Sequence, residues 1–166
     1  GGVVTGSEIR EGLIKDGFDQ YVASTVIAYG SDLHKKVIVP DDPRAIADAI
    51  TELKGVGCEL ILTTGGLSVD PDDVTRLGVK KAGATILAYG SPVLPGAMFL
   101  HARLGQTVIL GLPACVFYHP TTIFDLVLPR ILAGEHIKKL EIAEMGHGGL
   151  CLDCDACRFP DCPFGK

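Results

Sequence analysis

Leu60-Ile61-Leu62-Thr63-Thr64-Gly65-Gly66-Leu67-Ser68 decides how the rest of the chain is read. Three aliphatic residues in a row form a buried strand, and the strand ends in two threonines and two glycines. Paired glycines let the backbone come close to an anion and present N–H groups that no side chain covers. The same letters also serve a plain tight turn. Neither a dinucleotide fingerprint nor a P-loop fits, because the glycines lack the G-x-G-x-x-G spacing and no Gly-Lys-Ser/Thr follows.

Outward from this point the pattern repeats as strand followed by helix. Upstream, Val3-Val4-Thr5-Gly6-Ser7 reads as a strand and a turn. Phe18, Tyr21, Val22, Thr25, Val26 and Tyr29 recur with helical spacing up to Gly30. Val37-Ile38-Val39 gives a second strand. Asp42 then caps a helix with Pro43 at its first position, an inward stripe of Ile46, Ile50 and Leu53, and an end near Gly55. Downstream, Asp73 starts a helix that stops at Gly83. Thr85–Ala88 and Val108–Leu110 are strand-like, and a last helix starts near Pro120, buries Ile123, Leu126 or Val127, and Ile131, and is kinked or ended early by Pro129. Residues 90–105, broken by Pro92, Pro95 and Gly96, read as a hairpin or loop. Continuous apolar strands separated by helices predict a three-layer α/β/α fold with a mostly parallel sheet, whose ligand crevice lies at the carboxyl ends of the strands.

Composition agrees with such a core. The chain has 166 residues, 47% of them hydrophobic and 21% charged, with 21 Gly, 10 Pro and no Trp. Its mean hydropathy is +0.33. This excludes disorder as the main state, and no apolar run approaches the roughly 18 residues of a membrane span. A net charge of -5 argues against a broad nucleic-acid surface. The chain begins at Gly1 and its only methionines are Met98 and Met145, which reads as part of a longer polypeptide without a leader. Four of the six cysteines fall within residues 151–162, a distribution expected of a cytoplasmic, metal-binding protein more than of a disulfide framework.

Acidic residues gather around the glycine pair. Residues 41–73 carry eight acids against two bases. Asp42 has a capping role, and Asp48, Glu52 and Glu59 suit a solvated face, which leaves Asp41, Asp70, Asp72 and Asp73 in surplus. Carboxylates at strand ends can hold magnesium and, through it, a substrate phosphate or oxyanion. For Asp73 an N-cap is the simpler role, and the two are compatible.

The combination of Thr5-Gly6-Ser7-Glu8-Ile9, Val39-Pro40-Asp41-Asp42-Pro43, Thr63-Thr64-Gly65-Gly66-Leu67-Ser68, Asp73-Val74-Thr75, Pro95-Gly96 and Gly111-Leu112-Pro113 resembles the molybdopterin-binding domain shared by molybdopterin adenylyltransferases and molybdenum insertases. The resemblance runs to about Glu135, giving a domain over 1–135 and a C-terminal extension over 136–166, with 146–166 as an appended module. It implies that Thr5, Gly6, Ser7, Thr64, Gly65, Gly66, Ser68, Thr75 and Pro113 face the pterin dithiolene and its phosphate. It places catalytic carboxylates at Asp41 and Asp73, acting through magnesium in adenylyl transfer or molybdate insertion, chemistry that rests on positioning and charge stabilisation. The partners implied are the pterin, a nucleotide or molybdate, further copies of the chain, and a molybdoenzyme or an upstream domain of the same polypeptide. The family's usual Leu-Pro-Gly-x-Pro stretch stands here as Leu112-Pro113-Ala114-Cys115-Val116, and Leu67 and Val69 suggest a drier pocket. These departures favour an alternative, a carrier or regulatory module that binds the pterin without turnover.

The extension ends in Cys151-x2-Cys154-x2-Cys157-x4-Cys162-Pro163. The spacing is close to that of bacterial ferredoxins, with one extra residue before the last thiol, and equally suits four-thiolate zinc. Iron-sulfur and zinc both stand ahead of disulfides. Cys58 and Cys115 read as small core residues, with Cys115 near enough to the Pro113 loop to touch a ligand.

Overall fold

The computed structural model describes residues 1–10, 12–13, 15–67 and 73–166, apart from the side chains of Glu8 and Arg10. Among the described residues, six strands form one sheet: β1 (Gly2–Thr5), β2 (Lys36–Val39), β3 (Leu60–Thr64), β4 (Thr85–Tyr89), β5 (Leu100–Leu104) and β6 (Thr107–Leu112), in the order β2-β1-β3-β6-β5-β4. β2, β1, β3 and β6 pair in parallel, and β5 is antiparallel to both β6 and β4. The sheet is therefore mixed, with a single reversed strand. β4 regains the common direction, so five strands open their carboxyl ends at the same edge.

Adjacent residues of the central strands enter opposite layers, as the pleat requires. Val4, Leu62 and Leu110 join one core with Phe18, Val22, Phe99, Phe124 and Val127. Val3, Ile61 and Ile109 join the other with Ile46, Ile50, Leu53 and Val79. The second layer is built by α3 (Pro43–Gly55) and α4 (Val74–Lys81). These helices touch closely because position 78 is glycine: a β-carbon there would lie 2.5 Å from Ile46 Cγ2. Asp42 caps α3 as expected, accepting from the Ala45 N–H at 2.7 Å, with Pro43 at the first helical position.

A short α1 (Ser7–Arg10) follows β1. The helix expected from Phe18 to Tyr29 forms in two parts, a π-helical turn over Asp19–Ala23 and α2 (Ser24–Ala28). The i→i+5 turn shifts the buried stripe to Phe18, Val22, Ala23 and Val26, and it rotates Tyr21 and Tyr29 into solvent. Tyr21 instead meets the edge of Phe117.

Three expectations change in the second half of the sheet and beyond. The segment read as a hairpin or loop contains β5, seated between two strands. α5 (Ile123–Leu132) starts three residues later than expected and runs through Pro129 to Leu132. Pro129 lies off the line of Ile123, Phe124, Val127 and Leu128, whose burial carries the helix past the missing N–H. A further helix, α6 (Lys139–Glu144), occupies the stretch that reads as polar and contributes Ile142 to the core.

α5 begins with a reciprocal cap: Thr122 Oγ1 accepts from the Phe124 N–H at 3.1 Å, and the Thr122 N–H donates to Asp125 Oδ2 at 2.7 Å. Thr122→Ala is expected to lower stability by about 1 kcal/mol, read as a shift in the urea midpoint at unchanged slope.

The C-terminal segment docks on the first core. Phe164 is buried in that cluster, and Cys151, Phe159 and Cys162 pack against it. Backbone bonds join it to the loop after β4: Leu94 N–H to Gly149 O at 2.7 Å and Cys151 N–H to Leu94 O at 2.8 Å. No helix among the described residues is long and apolar enough to cross a membrane.

Candidate ligand site at the strand ends

β2, β1, β3 and β6 are neighbours and parallel, so their final residues stand side by side on one rim. Thr5 aligns with Val39, Val4 with Thr64, and Thr64 with Leu112. This register gathers Thr5-Gly6-Ser7, Asp41, Thr64-Gly65-Gly66 and Pro113 at the same end of the sheet.

Close packing sets the corner after β3. Thr5 Oγ1 donates to Thr64 O at 3.2 Å. Gly65 has φ +86, and a β-carbon there would stand 2.4 Å from both Thr5 O and Thr5 Oγ1. Gly66 has φ +55, and its β-carbon would stand 2.6 Å from Thr75 Oγ1. That buried hydroxyl donates to Gly65 O at 2.8 Å, tying the first turn of α4 to the glycine corner. The glycines thus fill a space that no side chain can enter. Leu67, next in line, is buried against Gly111 in the second core, so it anchors the loop from below. Ser68, Asp70 and Asp72 lie outside the described residues.

The carboxylates flank this corner. Asp41 Oδ2 accepts from the Ser7 N–H at 3.1 Å, which binds the end of β2 to the turn after β1. Asp73 precedes α4, but its side chain does not cap the helix. Instead the Tyr89 hydroxyl, at the carboxyl end of β4, donates to Asp73 Oδ2 at 3.3 Å. Burial pushes the Tyr89 hydroxyl above the ordinary tyrosine range, reinforced by the Asp73 charge, while Arg76 opposes the shift. The Arg76 guanidinium lies 4.9 Å from the centroid of the Tyr89 ring. The role of Tyr89 and its contact with Arg76 are not evident from the sequence. The available signal is an aromatic residue closing an apolar strand before Gly90.

The end of β3 also carries polar groups whose hydrogen-bonding capacity is unspent. Thr64 Oγ1 is buried and has no hydrogen-bond partner among the described residues. Such a hydroxyl costs about 1–3 kcal/mol unless something pairs with it. Thr63 Oγ1 is also unpaired, and it faces Gly111.

Pro113 precedes a 3-10 turn over Ala114–Phe117, in which the Val116 N–H donates back to Pro113 O at 3.1 Å. Cys115, half-buried, lines a groove with Pro113, His119, Leu150 and Cys151. Burial pushes its thiol above the ordinary cysteine range, which favours the neutral form. Cys58 is buried in the second core. The four tail cysteines carry no disulfide and line a separate cavity that adjoins this groove through Leu150, Cys151 and Asp153.

Residues 1–133 match the family model described as "Probable molybdopterin binding domain". The chain belongs to the molybdopterin-binding domain family. A CinA-like protein of Citrifermentans bemidjiense is 35% identical over 89 residues, 54% of this chain and 21% of that protein. A CinA-like protein of Mycolicibacterium vanbaalenii is 35% identical over 106 residues, 64% of this chain and 24% of that protein. The chain thus spans about a quarter or less of these relatives' length. Among solved structures, CinA of Thermoplasma acidophilum, a protein with unknown function, superposes with a TM-score of 0.63 at 17% identity, covering 80% of this chain and 95% of that one. The molybdopterin biosynthesis enzyme MoaB of Thermus thermophilus does so with a TM-score of 0.63 at 20% identity, covering 80% and 91%. At these identities the likeness is one of fold, and it places the domain among α/β proteins of the MoaB type.

Proposed function

We propose that this molybdopterin-binding domain holds the phosphorylated pterin dithiolene at the rim formed by Thr5-Gly6-Ser7, Asp41, Thr64-Gly65-Gly66, Thr75 and Pro113, with Ser68 as a further contact. The observation that carries this reading is the orphaned Thr64 hydroxyl beside a corner where only glycine fits. It supplies an unspent polar group where bare backbone can approach a phosphate.

Asp41 and Asp73 stand on either side of that corner, and hard carboxylate oxygens suit magnesium. Either could supply a ligand to such an ion, which would neutralise phosphate charge during adenylyl transfer or molybdate insertion. The chain's own part is positional. Asp41 is oriented by the Ser7 N–H, and Asp73 by the Tyr89 hydroxyl.

A second reading, pterin binding without turnover, is favoured by the loop after β6. Its 3-10 turn buries Val116 and directs the Val116 N–H back to Pro113 O, which withdraws an amide from the rim. Titration calorimetry with molybdopterin tests the site itself. Binding is expected in both the presence and absence of magnesium, and Asp41→Asn is expected to weaken the magnesium-dependent part at least tenfold, about 1.4 kcal/mol. Absence of binding to the folded chain overturns both readings. Transfer of label from ATP to the pterin, or molybdate-dependent conversion, then separates an enzyme from a carrier.

A further inference from the structure

We propose that the C-terminal segment is an iron–sulfur cluster site, with Cys151, Cys154, Cys157 and Cys162 as its four thiolate ligands. This inference is independent of the pterin reading.

The first observation is convergence. These cysteines are distributed over twelve residues, yet all four line one cavity, closed on its apolar side by Pro120, Leu150, Phe159 and Phe164. Asp153, with φ +48, is the one described non-glycine residue in the left-handed region, and it bends the chain between Cys151 and Cys154. The second observation is what the segment lacks as a fold. Residues 151–166 contain no helix or strand. Beyond the packing of Phe164, short backbone links such as Asp161 N–H to Arg158 O at 2.7 Å and Gly165 N–H to Gly148 O at 2.8 Å give the segment its shape. Irregular cysteine-rich segments of this length usually take their rigidity from disulfides or a metal, and here no disulfide is present.

Zinc with four thiolates, whose sulfurs at ~2.3 Å from the ion would stand about 3.8 Å apart, is the competing occupant and an outcome of the test below. Among the described residues no three His, Cys, Asp or Glu side chains are already grouped around one ion position. The apolar wall of the cavity suits a cluster, whose potential depends on burial and on hydrogen bonds to sulfur. Thr121 Oγ1 lies 3.2 Å from Cys157 Sγ, within reach of donating such a bond to a thiolate. Leu150, Cys151 and Asp153 also line the groove that reaches Pro113, so the centre stands next to the rim where the pterin is placed.

The test is purification of the 166-residue chain under strict anaerobiosis, with a parallel sample reconstituted with ferrous iron and sulfide. The expected result is a brown protein with iron and acid-labile sulfide in equal amounts, about four of each per chain, and an electron paramagnetic resonance signal after reduction by dithionite. Cys154 and Cys157 are exposed, so Cys154→Ser and Cys157→Ser are expected to keep the circular dichroism of the parent while losing most of the iron. Stoichiometric zinc without sulfide overturns the cluster. So does a colourless chain that takes up no metal under reconstitution and titrates as four free tail thiols.

Discussion

Gly65→Ala is expected to cost about 2–4 kcal/mol of folding stability, a large fraction of the ~5–15 kcal/mol available to a domain. Two causes combine. The residue sits at φ +86, where an alanine carries a penalty of roughly 1–2 kcal/mol. The new methyl would also stand 2.4 Å from Thr5 O, and that obstacle is backbone in a strand paired on both sides by β2 and β3. A flexible side chain could swing aside, whereas β1 can yield only by straining its ladders. Gly30→Ala is the control. It has φ +80 with no atom within 4 Å of the added carbon, so it pays the conformational cost alone, about 1 kcal/mol. Urea denaturation of both variants checks the argument, and equal losses would show that contact with Thr5 plays no part. Because the same contact shapes the rim, pterin binding is expected to be lost in Gly65→Ala even at temperatures where the variant remains folded.

Acidification from pH 7 is expected to destabilise the domain through His101. This residue lies on β5, 2% exposed, and its Nδ1 has no partner among the described residues. Burial, helped by the nearby Arg103 charge, lowers its pKa from 6.5 to about 4. The depressed value belongs to a base, so between those two values the unfolded chain binds the proton and the folded one does not. The His101 contribution is complete above about pH 6.5, declines as pH falls towards 4, and is exhausted below that. At ~1.4 kcal/mol per unit the gap amounts to about 3 kcal/mol. Urea midpoints at pH 7, 6, 5 and 4.5 read the slope, and His101→Leu is expected to flatten it. A variant that loses stability as steeply as the parent would assign the effect to other groups.

The sequence makes the left half of the sheet legible because its signals are local. Apolar runs of three residues, Asp42 followed by Pro43, and Gly65-Gly66 at a strand end each need only their neighbours to be interpreted. The right half depends on pairing at a distance. Leu100-His101-Ala102-Arg103-Leu104 carries two ionisable side chains and follows a proline-broken stretch, yet it lies between β6 and β4 with His101 buried. Nothing within those five residues marks them as interior. α6 is hidden for a similar reason: half of Lys139–Glu144 is charged, and a single residue, Ile142, holds it to the core. At the site, the positions of Thr5, Asp41 and Gly65 follow from strand order. Tyr89 meets Asp73 only because β5 reverses direction and returns β4 to the common edge, a property of topology that no short motif encodes.

That reversal has a practical use. β5 and β6 are joined by Gly105 and Gln106, an exposed turn at the end of the sheet opposite the strand carboxyl ends. A peptide epitope or fluorescent reporter spliced between those two residues would project from the far pole of the molecule. Immobilised through that point, the protein would present its rim and its cysteine cavity to solution together, so that candidate ligands for both could be tested on one sensor surface.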